Sequence, residues 1–145
     1  MGISTMGKVV VGVTVENLMD LYEVHKGARK SEEVRRLEIP DALVDTGATC
    51  LSLPDRLVKQ LGLERYRSRR ARTSSGELKE FDMYGMVRLT VQGRDCNVEV
   101  AAIPDECPTL IGQVPLELLD FLVDPVQQRL VGNPAHGGEQ MFDMY

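Results

Sequence analysis

The chain has no tryptophan, only two histidines and no long apolar run. No apolar stretch approaches the ~18 residues of a membrane-spanning helix, so we expect no membrane partner. His25 and His136 are far apart, and the cysteines lack the spacing of a zinc site. We therefore predict no metal and no other cofactor. The net charge of −5 disfavours nucleic acid as a partner.

Cysteine is also scarce. The chain has three, Cys50, Cys96 and Cys107, an odd number that does not fit a set of paired disulfides. Residues 1–15, with an apolar stretch at residues 9–15, are interpreted as a strand rather than a signal peptide, because they lack a clear cleavage site. We therefore expect reduced thiols and a cytoplasmic location. Cys50 is predicted to be a small buried hydrophobe, and the alternative is a redox switch near the site described below.

The rest of the composition is that of an ordinary globular domain, with 43% hydrophobic and 27% charged residues. Alternation of apolar and polar side chains, as at Val87, Leu89 and Val91, predicts half-buried strands. The predicted strands are residues 8–15, 34–39, 42–44, 78–84, 86–91, 96–103, 121–123 and 129–131. Two short helices are predicted, at residues 54–61 and 115–119, each beginning with a proline.

Three segments stand apart from this pattern. Residues 17–36 form an insertion, either a helical excursion or a long loop. Residues 65–72 carry five arginines and are predicted as a solvated strand, the alternative being a patch for an acidic substrate or an anionic partner. Residues 135–145 are predicted to be a flexible tail after one domain spanning residues 1–134.

One sequence motif is a candidate for a catalytic function. An apolar strand ends in Asp45, Thr46 and Gly47, and this Asp-Thr-Gly sequence occurs once. It can be an ordinary turn capped by the aspartate. It can also be a rigid turn that presents a carboxylate for general acid–base chemistry, because Gly47 lets the backbone approach and donate to that carboxylate.

Two later patterns favour the catalytic interpretation. A small polar turn between two predicted strands consists of Ser74, Ser75, Gly76 and Glu77. Before the second predicted helix stand Leu110, Ile111 and Gly112. The chain resembles the retropepsin-like aspartic proteases over about residues 9–134. The resemblance lies in the order of its features: the Asp-Thr-Gly turn, a helix, a hairpin, two apolar residues followed by glycine, and a second helix. The chain is most similar to the bacterial single-lobe members.

The resemblance implies an all-β fold, a closed-barrel-like single lobe with one or two short helices that forms a homodimer. It implies that Asp45, Thr46 and Gly47 are catalytic, and that the two Asp45 carboxylates share a proton and activate water. A peptide or protein substrate would then bind as an extended strand. Ala48 and Ile111 would contact it from the groove. The flap over it would contain Ser74, Ser75, Gly76 and Glu77, although an ordinary hairpin turn explains the same four residues.

The chain departs from the retroviral enzymes at two positions. Thr49 and Gln113 stand where those enzymes have an acidic residue and an arginine that pair with each other. A hairpin around Asp124 and Pro125 replaces the short terminal strand of the dimer sheet. These departures leave a second hypothesis open, a catalytically silent dimer that keeps the fold as a peptide-binding or scaffold module.

Overall fold

Strands dominate the computed structural model, which describes residues 8–73 and 75–141. The described strands are β1 (Val9–Asn17), β2 (Arg36–Val44), β3 (Leu51–Pro54), β4 (Glu64–Arg72), β5 (Leu78–Val91), β6 (Arg94–Ile103), β7 (Leu110–Ile111), β8 (Phe121–Asp124) and β9 (Arg129–Gly132). The described helices are α1 (Leu18–His25), α2 (Asp55–Gln60) and α3 (Gln113–Leu119), with single 3₁₀ turns at Ser31–Glu33 and Pro134–His136. No helix in this part of the chain has the length and apolarity needed to cross a membrane.

Seven strands form one sheet in the order β1-β2-β7-β3-β6-β5-β4, and β8 pairs with β9 in a separate hairpin. An additional antiparallel pairing joins β1 to β5 over residues 14–17 of β1. The prediction of a mostly β domain with few helices is confirmed. Its description as a closed barrel stays a prediction.

The short strand β7 lies between β2 and β3, parallel to the first and antiparallel to the second. The loop that joins β2 to β3 therefore crosses the end of β7. This crossing positions the candidate site, because the loop contains the Asp-Thr-Gly sequence.

The core follows from the alternation of side chains along the strands. In β1, every second residue is buried, namely Val9, Val11, Val13 and Val15. The same core contains the fully buried side chains of Leu51, Leu53, Leu89, Ile111 and Leu119. Burial of each such side chain stabilises the fold by about 1.5–3 kcal/mol.

In two places, a pair of strands predicted as separate forms one continuous strand in the structure. Predicted strands 34–39 and 42–44 form the single strand β2, because Pro40 lies where the β1–β2 register shifts opposite Gly12. A proline is tolerated at such an irregularity, where the regular ladder is interrupted. Predicted strands 78–84 and 86–91 form the single strand β5, which passes through a bulge at Gly85 and Met86.

The insertion of residues 17–36 begins as the helix α1, whose N-cap is Asn17. Its other anchor is Asp20, a fully buried carboxylate that accepts hydrogen bonds from the Arg35 backbone N–H at 2.9 Å and from its guanidinium at 2.8 and 2.9 Å. The side-chain hydrogen bond from Arg35 is the main cause that holds the pKa of Asp20 below its ordinary value, against the opposing effect of burial. These contacts join the two ends of the insertion next to β1 and β2, the strands that it connects.

The described part of the predicted tail contacts the domain. Asp120 accepts a hydrogen bond from the Met141 N–H at 3.1 Å and pairs with Nδ1 of His136 at 2.6 Å. The Gln140 amide donates to the carbonyls of Asp95 and Leu118, at 3.0 Å each. The boundary at residue 134 and the flexibility of the tail stay predictions.

Candidate active site

Asp45 directly follows β2, and its backbone is held by the neighbouring strand. Its N–H donates to the carbonyl of Ile111 at 2.9 Å, one residue beyond the pairing of Val44 with Ile111. The carbonyl of Asp45 accepts from the N–H of Ala48 at 3.0 Å, which closes a tight turn. The aspartate therefore sits on a loop that main-chain hydrogen bonds fix at both ends.

The carboxylate of Asp45 is half-buried, and Oδ1 accepts the N–H of Gly47 at 3.0 Å. A Cβ at position 47 would lie 3.3 Å from this oxygen, so glycine leaves room for the close approach. Within the described residues, no other hydrogen-bond donor contacts the carboxylate. Thr46 is exposed beside it. The turn thus presents a carboxylate whose second oxygen is open to another group.

Gly112 lies immediately behind the loop. Its N–H donates to the Cys50 carbonyl at 3.0 Å, and the next two N–H groups, of Gln113 and Val114, donate to the carbonyls of Ala48 and Thr49 at 2.8 and 3.0 Å. A Cβ on Gly112 would lie 2.5 Å from the Cys50 carbonyl oxygen. Because only glycine allows this packing of backbone on backbone, the Leu-Ile-Gly pattern and the Asp-Thr-Gly loop form one unit.

Main-chain hydrogen bonds join the two segments that contain Thr49 and Gln113, the positions that lack the retroviral ion pair. Thr49 is exposed, and its carbonyl accepts the N–H of Val114. The side chain of Gln113 instead donates to Glu117 at 3.2 Å, within α3. The backbone contacts around Gly112 therefore hold this junction without a pair of opposite charges.

The structure places Ile111 fully buried behind the loop and Leu110 half-buried on the opposite face of β7. Leu110 pairs with Leu43 of β2, and Leu43 pairs with Val10 of β1. Paired residues point to the same face of a sheet, and Asp45 shares that face with Leu43 because they are two residues apart. An apolar row, Val10, Leu43 and Leu110, therefore leads across the sheet towards the side of Asp45.

This apolar row was not predicted from the sequence. Only Leu43 has a sequence signal, since it precedes Asp45 by two residues in a strand. The contributions of Val10 and Leu110 depend on strand register, which the sequence alone does not give.

The predicted polar turn is the tip of the β4–β5 hairpin. The hairpin closes at the pair Arg72 and Leu78, where the Thr73 N–H donates to the Glu77 carbonyl at 2.8 Å. Gly76 has φ +83°, a conformation that glycine adopts without strain. Ser75, Gly76 and Glu77 are exposed, whereas Ser74 lies outside the described residues. A hairpin is therefore present, and its role as a flap stays a prediction.

A cavity of about 230 Å³ lies between the Asp45 loop, the β4–β5 hairpin, β6 and α3. The residues that line it include Thr49, Cys50, Arg69, Met86, Glu99 and Leu118. Burial raises the pKa of the Cys50 thiol, and it raises the pKa of Cys96 to about 12. Both thiols are therefore neutral near pH 7. Cys96 is buried, whereas Cys50 is only partly buried and not the buried side chain that was predicted. All three cysteines are free.

Over residues 8–73 and 75–141, no group of three or more histidine, cysteine, aspartate or glutamate side chains is placed to hold a metal ion. What the described site offers chemically is one carboxylate, the backbone N–H of Gly47 and the hydroxyl of Thr46.

A family model described as aspartyl protease matches residues 35–118, which is more than half of the chain. The protein therefore belongs to the aspartyl protease family, in the retropepsin-like clan, and the resemblance inferred from its motifs is confirmed. The matched region contains the Asp45 loop, the β4–β5 hairpin and Gly112. Among curated proteins, none matches the chain.

Proposed function

We propose that the protein is an aspartic endopeptidase that hydrolyses peptide bonds as a homodimer. The observation that carries the proposal is the Asp45 loop: one oxygen of the carboxylate accepts the Gly47 N–H, and β7 and Gly112 hold the loop from behind. Membership of the aspartyl protease family supports the same conclusion.

In the proposed reaction, the Asp45 carboxylates of two subunits face each other and share one proton, because like charges a few ångströms apart do not both ionise. The ionised carboxylate takes a proton from water, and the protonated one polarises the peptide carbonyl. The Gly47 N–H stabilises the ionised carboxylate of its own loop. In the proposed dimer, the hydroxyl of Thr46, an exposed residue beside Asp45, links the two loops. No metal and no covalent intermediate take part.

The homodimer is required because the chain has one Asp-Thr-Gly sequence and therefore half of a dyad. We propose that the β8–β9 hairpin contributes to the dimer interface, at the place where the resemblance puts the terminal strand of a dimer sheet. Neither strand pairs with any other strand of the described chain, and Leu122 and Val126 are 47% and 89% exposed. Unpaired edges and exposed apolar side chains favour association with a second copy.

The substrate is proposed to be an extended peptide that lies between the Asp45 loop and the β4–β5 hairpin. The apolar row of Val10, Leu43 and Leu110 favours apolar side chains next to the scissile bond. Ala48 contacts the peptide from the loop. Ile111, predicted above to contact the peptide, is fully buried, and we propose instead that it supports the loop from behind. The proposed flap consists of Ser74, Ser75, Gly76 and Glu77. The three free cysteines suit the reducing cytoplasm, where we propose that the enzyme acts.

The test compares wild type with Asp45→Asn. Cleavage of a mixed peptide library is followed by mass spectrometry between about pH 4 and 7, and the dimer is followed by analytical ultracentrifugation. We expect Asp45→Asn to lose at least about 100-fold in rate, as when a general acid–base group is removed, and to remain dimeric. Asp41→Asn is the matched control, because Asp41 is an exposed carboxylate on β2, the strand that leads to Asp45. It should retain activity.

Two results would contradict the proposal. Equal cleavage by wild type and Asp45→Asn would mean that the activity comes from another group or a contaminant. A wild-type dimer that cleaves nothing across this pH range, yet binds peptides, would instead support the silent peptide-binding module.

A further inference from the structure

The base of the β4–β5 hairpin contains two bulges at the same level. In the β5–β6 ladder, Tyr84 pairs with Val100 and the next pair is Val87 with Val98. The two intervening residues of β5, Gly85 and Met86, therefore face the single residue Glu99 of β6. Such a bulge bends a strand and increases its twist. The hairpin thus bends away from the rest of the sheet at this bulge, and Glu99 lies opposite the bend.

The second bulge is in β4. Arg65 pairs with Tyr84 and Arg67 pairs with Met83, so Tyr66 is the extra residue. A Cβ on Gly85 would lie 3.0 Å from Cε1 of the Tyr66 ring. The absence of a side chain at position 85 therefore leaves the ring space to pack across β5. In this position the phenol of Tyr66 reaches β6.

The carboxylate of Glu99 connects these parts. Oε1 accepts the Tyr66 hydroxyl at 2.6 Å and Nε of Arg67 at 3.2 Å, and Oε2 accepts Nη2 of Arg67 at 2.5 Å. Nη1 of Arg69 lies 3.4 Å from Oε2. Because β5 separates β4 from β6 in the sheet, one carboxylate on β6 contacts three residues of β4, Tyr66, Arg67 and Arg69, across the intervening strand.

The environment of Glu99 keeps it ionised. Its side chain is 19% exposed, and burial by itself raises the pKa of Glu99. The hydrogen bonds from Arg67 and Tyr66 and the charges of Arg67 and Arg69 outweigh burial, so the pKa of Glu99 lies below its ordinary value. Among the described residues, Cys50 of the Asp45 loop also interacts electrostatically with Glu99, and its thiol is neutral near pH 7. Glu99 therefore stays charged in mild acid, where an aspartate dyad works.

We propose that Glu99 is a positioning residue that fixes the angle at which the β4–β5 hairpin leaves the sheet, and with it the placement of the flap over a peptide at Asp45. The inference rests on the proposed function. Glu99 does not touch the reacting groups; it acts through Tyr66, Arg67 and Arg69. Two features distinguish these contacts of Glu99 from an ordinary surface ion pair. Both bulges lie at the level of Glu99, and Gly85 leaves room for the ring of Tyr66, one of its partners.

The variant Glu99→Gln keeps the shape of the side chain and removes its charge. The matched control is Asp82→Asn, which removes a carboxylate from the same hairpin, where Asp82 accepts from Arg65 at 2.8 Å. The first measurement is amide hydrogen exchange. Glu99→Gln should lower protection factors in residues 64–72 and 78–84 about tenfold, the loss expected for hydrogen bonds to a charged group. The rest of the sheet should stay unchanged, and Asp82→Asn should change the hairpin less.

The second measurement is kinetic. With a peptide that wild type cleaves, Glu99→Gln should raise KM about tenfold with a smaller change in kcat, because it alters how the flap holds substrate and not the dyad. Wild-type hairpin protection should fall as the pH drops through the lowered pKa of Glu99. Protection in Glu99→Gln should not depend on pH in that range. Tyr66→Phe, which keeps the ring, should show part of the same loss.

The two proposals fail in distinguishable ways. If no peptide is cleaved, the proposed function fails, while hydrogen exchange still decides the role of Glu99. Equal hairpin protection in Glu99→Gln and wild type would overturn the role of Glu99 whatever the activity. A uniform loss of protection over the whole sheet would also overturn it, because the residue would then only stabilise the fold.

Discussion

Replacement of Gly112 by alanine tests the packing that holds the candidate active site together. A Cβ at this position would lie 2.5 Å from the Cys50 carbonyl oxygen, 2.6 Å from the Thr49 carbonyl carbon and 2.8 Å from the Ala48 carbonyl oxygen. All three are backbone atoms, so no side chain can rotate away. The loop that carries Asp45 must therefore shift relative to β7.

The expected loss of stability is about 2–4 kcal/mol. Forcing one extra carbon into a packed site costs about 1–3 kcal/mol. The shift also weakens three hydrogen bonds, those from the N–H groups of Gly112, Gln113 and Val114 to the loop, and each such bond contributes about 0.5–1.5 kcal/mol. The upper ends of the two ranges do not add, because the shift that relieves the contact is the one that lengthens the bonds.

The assay is urea unfolding followed by circular dichroism, at a fixed protein concentration because dimerisation would add to the apparent stability. Gly12→Ala is the control, since the nearest atom to its Cβ would be 3.9 Å away, and we expect it to change stability by no more than about 0.5 kcal/mol. Gly112→Ala should also lose peptide cleavage. If its free energy of unfolding equals that of wild type within error, the tight packing of the loop on Gly112 is refuted.

The remaining predictions concern the insertion and the core. Asp20→Asn should destabilise the fold by about 1–3 kcal/mol at pH 7, because it weakens the hydrogen bonds that Arg35 makes to a buried carboxylate. Since the pKa of Asp20 is lowered in the folded state, its contribution is complete above its ordinary pKa of 3.8 and is lost as the pH falls through the lowered value. Urea unfolding at a series of pH values should therefore show a smaller acid loss in the variant, and parallel curves would contradict this. Leu116→Ala should cost about 2–5 kcal/mol because Leu116 is 2% exposed. Leu118→Ala, at 43% exposure, should cost less than about 1 kcal/mol by the same measurement.

The local features of the site could be predicted from the sequence because each depends on residues that are close in the chain. Asp45 and Gly47 are two residues apart, and the hydrogen bond between them follows from the turn. The Leu-Ile-Gly pattern was informative because the close backbone contact at Gly112 admits no side chain. The exposed arginine strand was likewise predicted from composition, and every residue of β4 is exposed.

Features that depend on strand register could not be predicted. The apolar row of Val10, Leu43 and Leu110 requires three strands to be aligned, and a shift of one residue would turn each side chain to the other face. The contact between Glu99 and Arg67 joins residues 32 positions apart across an intervening strand. Five arginines in a short segment indicate exposure, but not which of them pairs with Glu99. Gly85 looked like a break between strands, whereas it permits one strand to continue through a bulge.

The central claim is that two copies of the Asp45 loop form one catalytic dyad. The most direct measurement is the distance between the two Asp45 carboxylates in a crystal structure of the protein grown near neutral pH, with its solution state checked by ultracentrifugation. We predict a dimer in which the closest carboxylate oxygens lie within about 3 Å, as a shared proton requires. A monomer at high concentration, or a dimer that holds these carboxylates too far apart to share a proton, would contradict the claim.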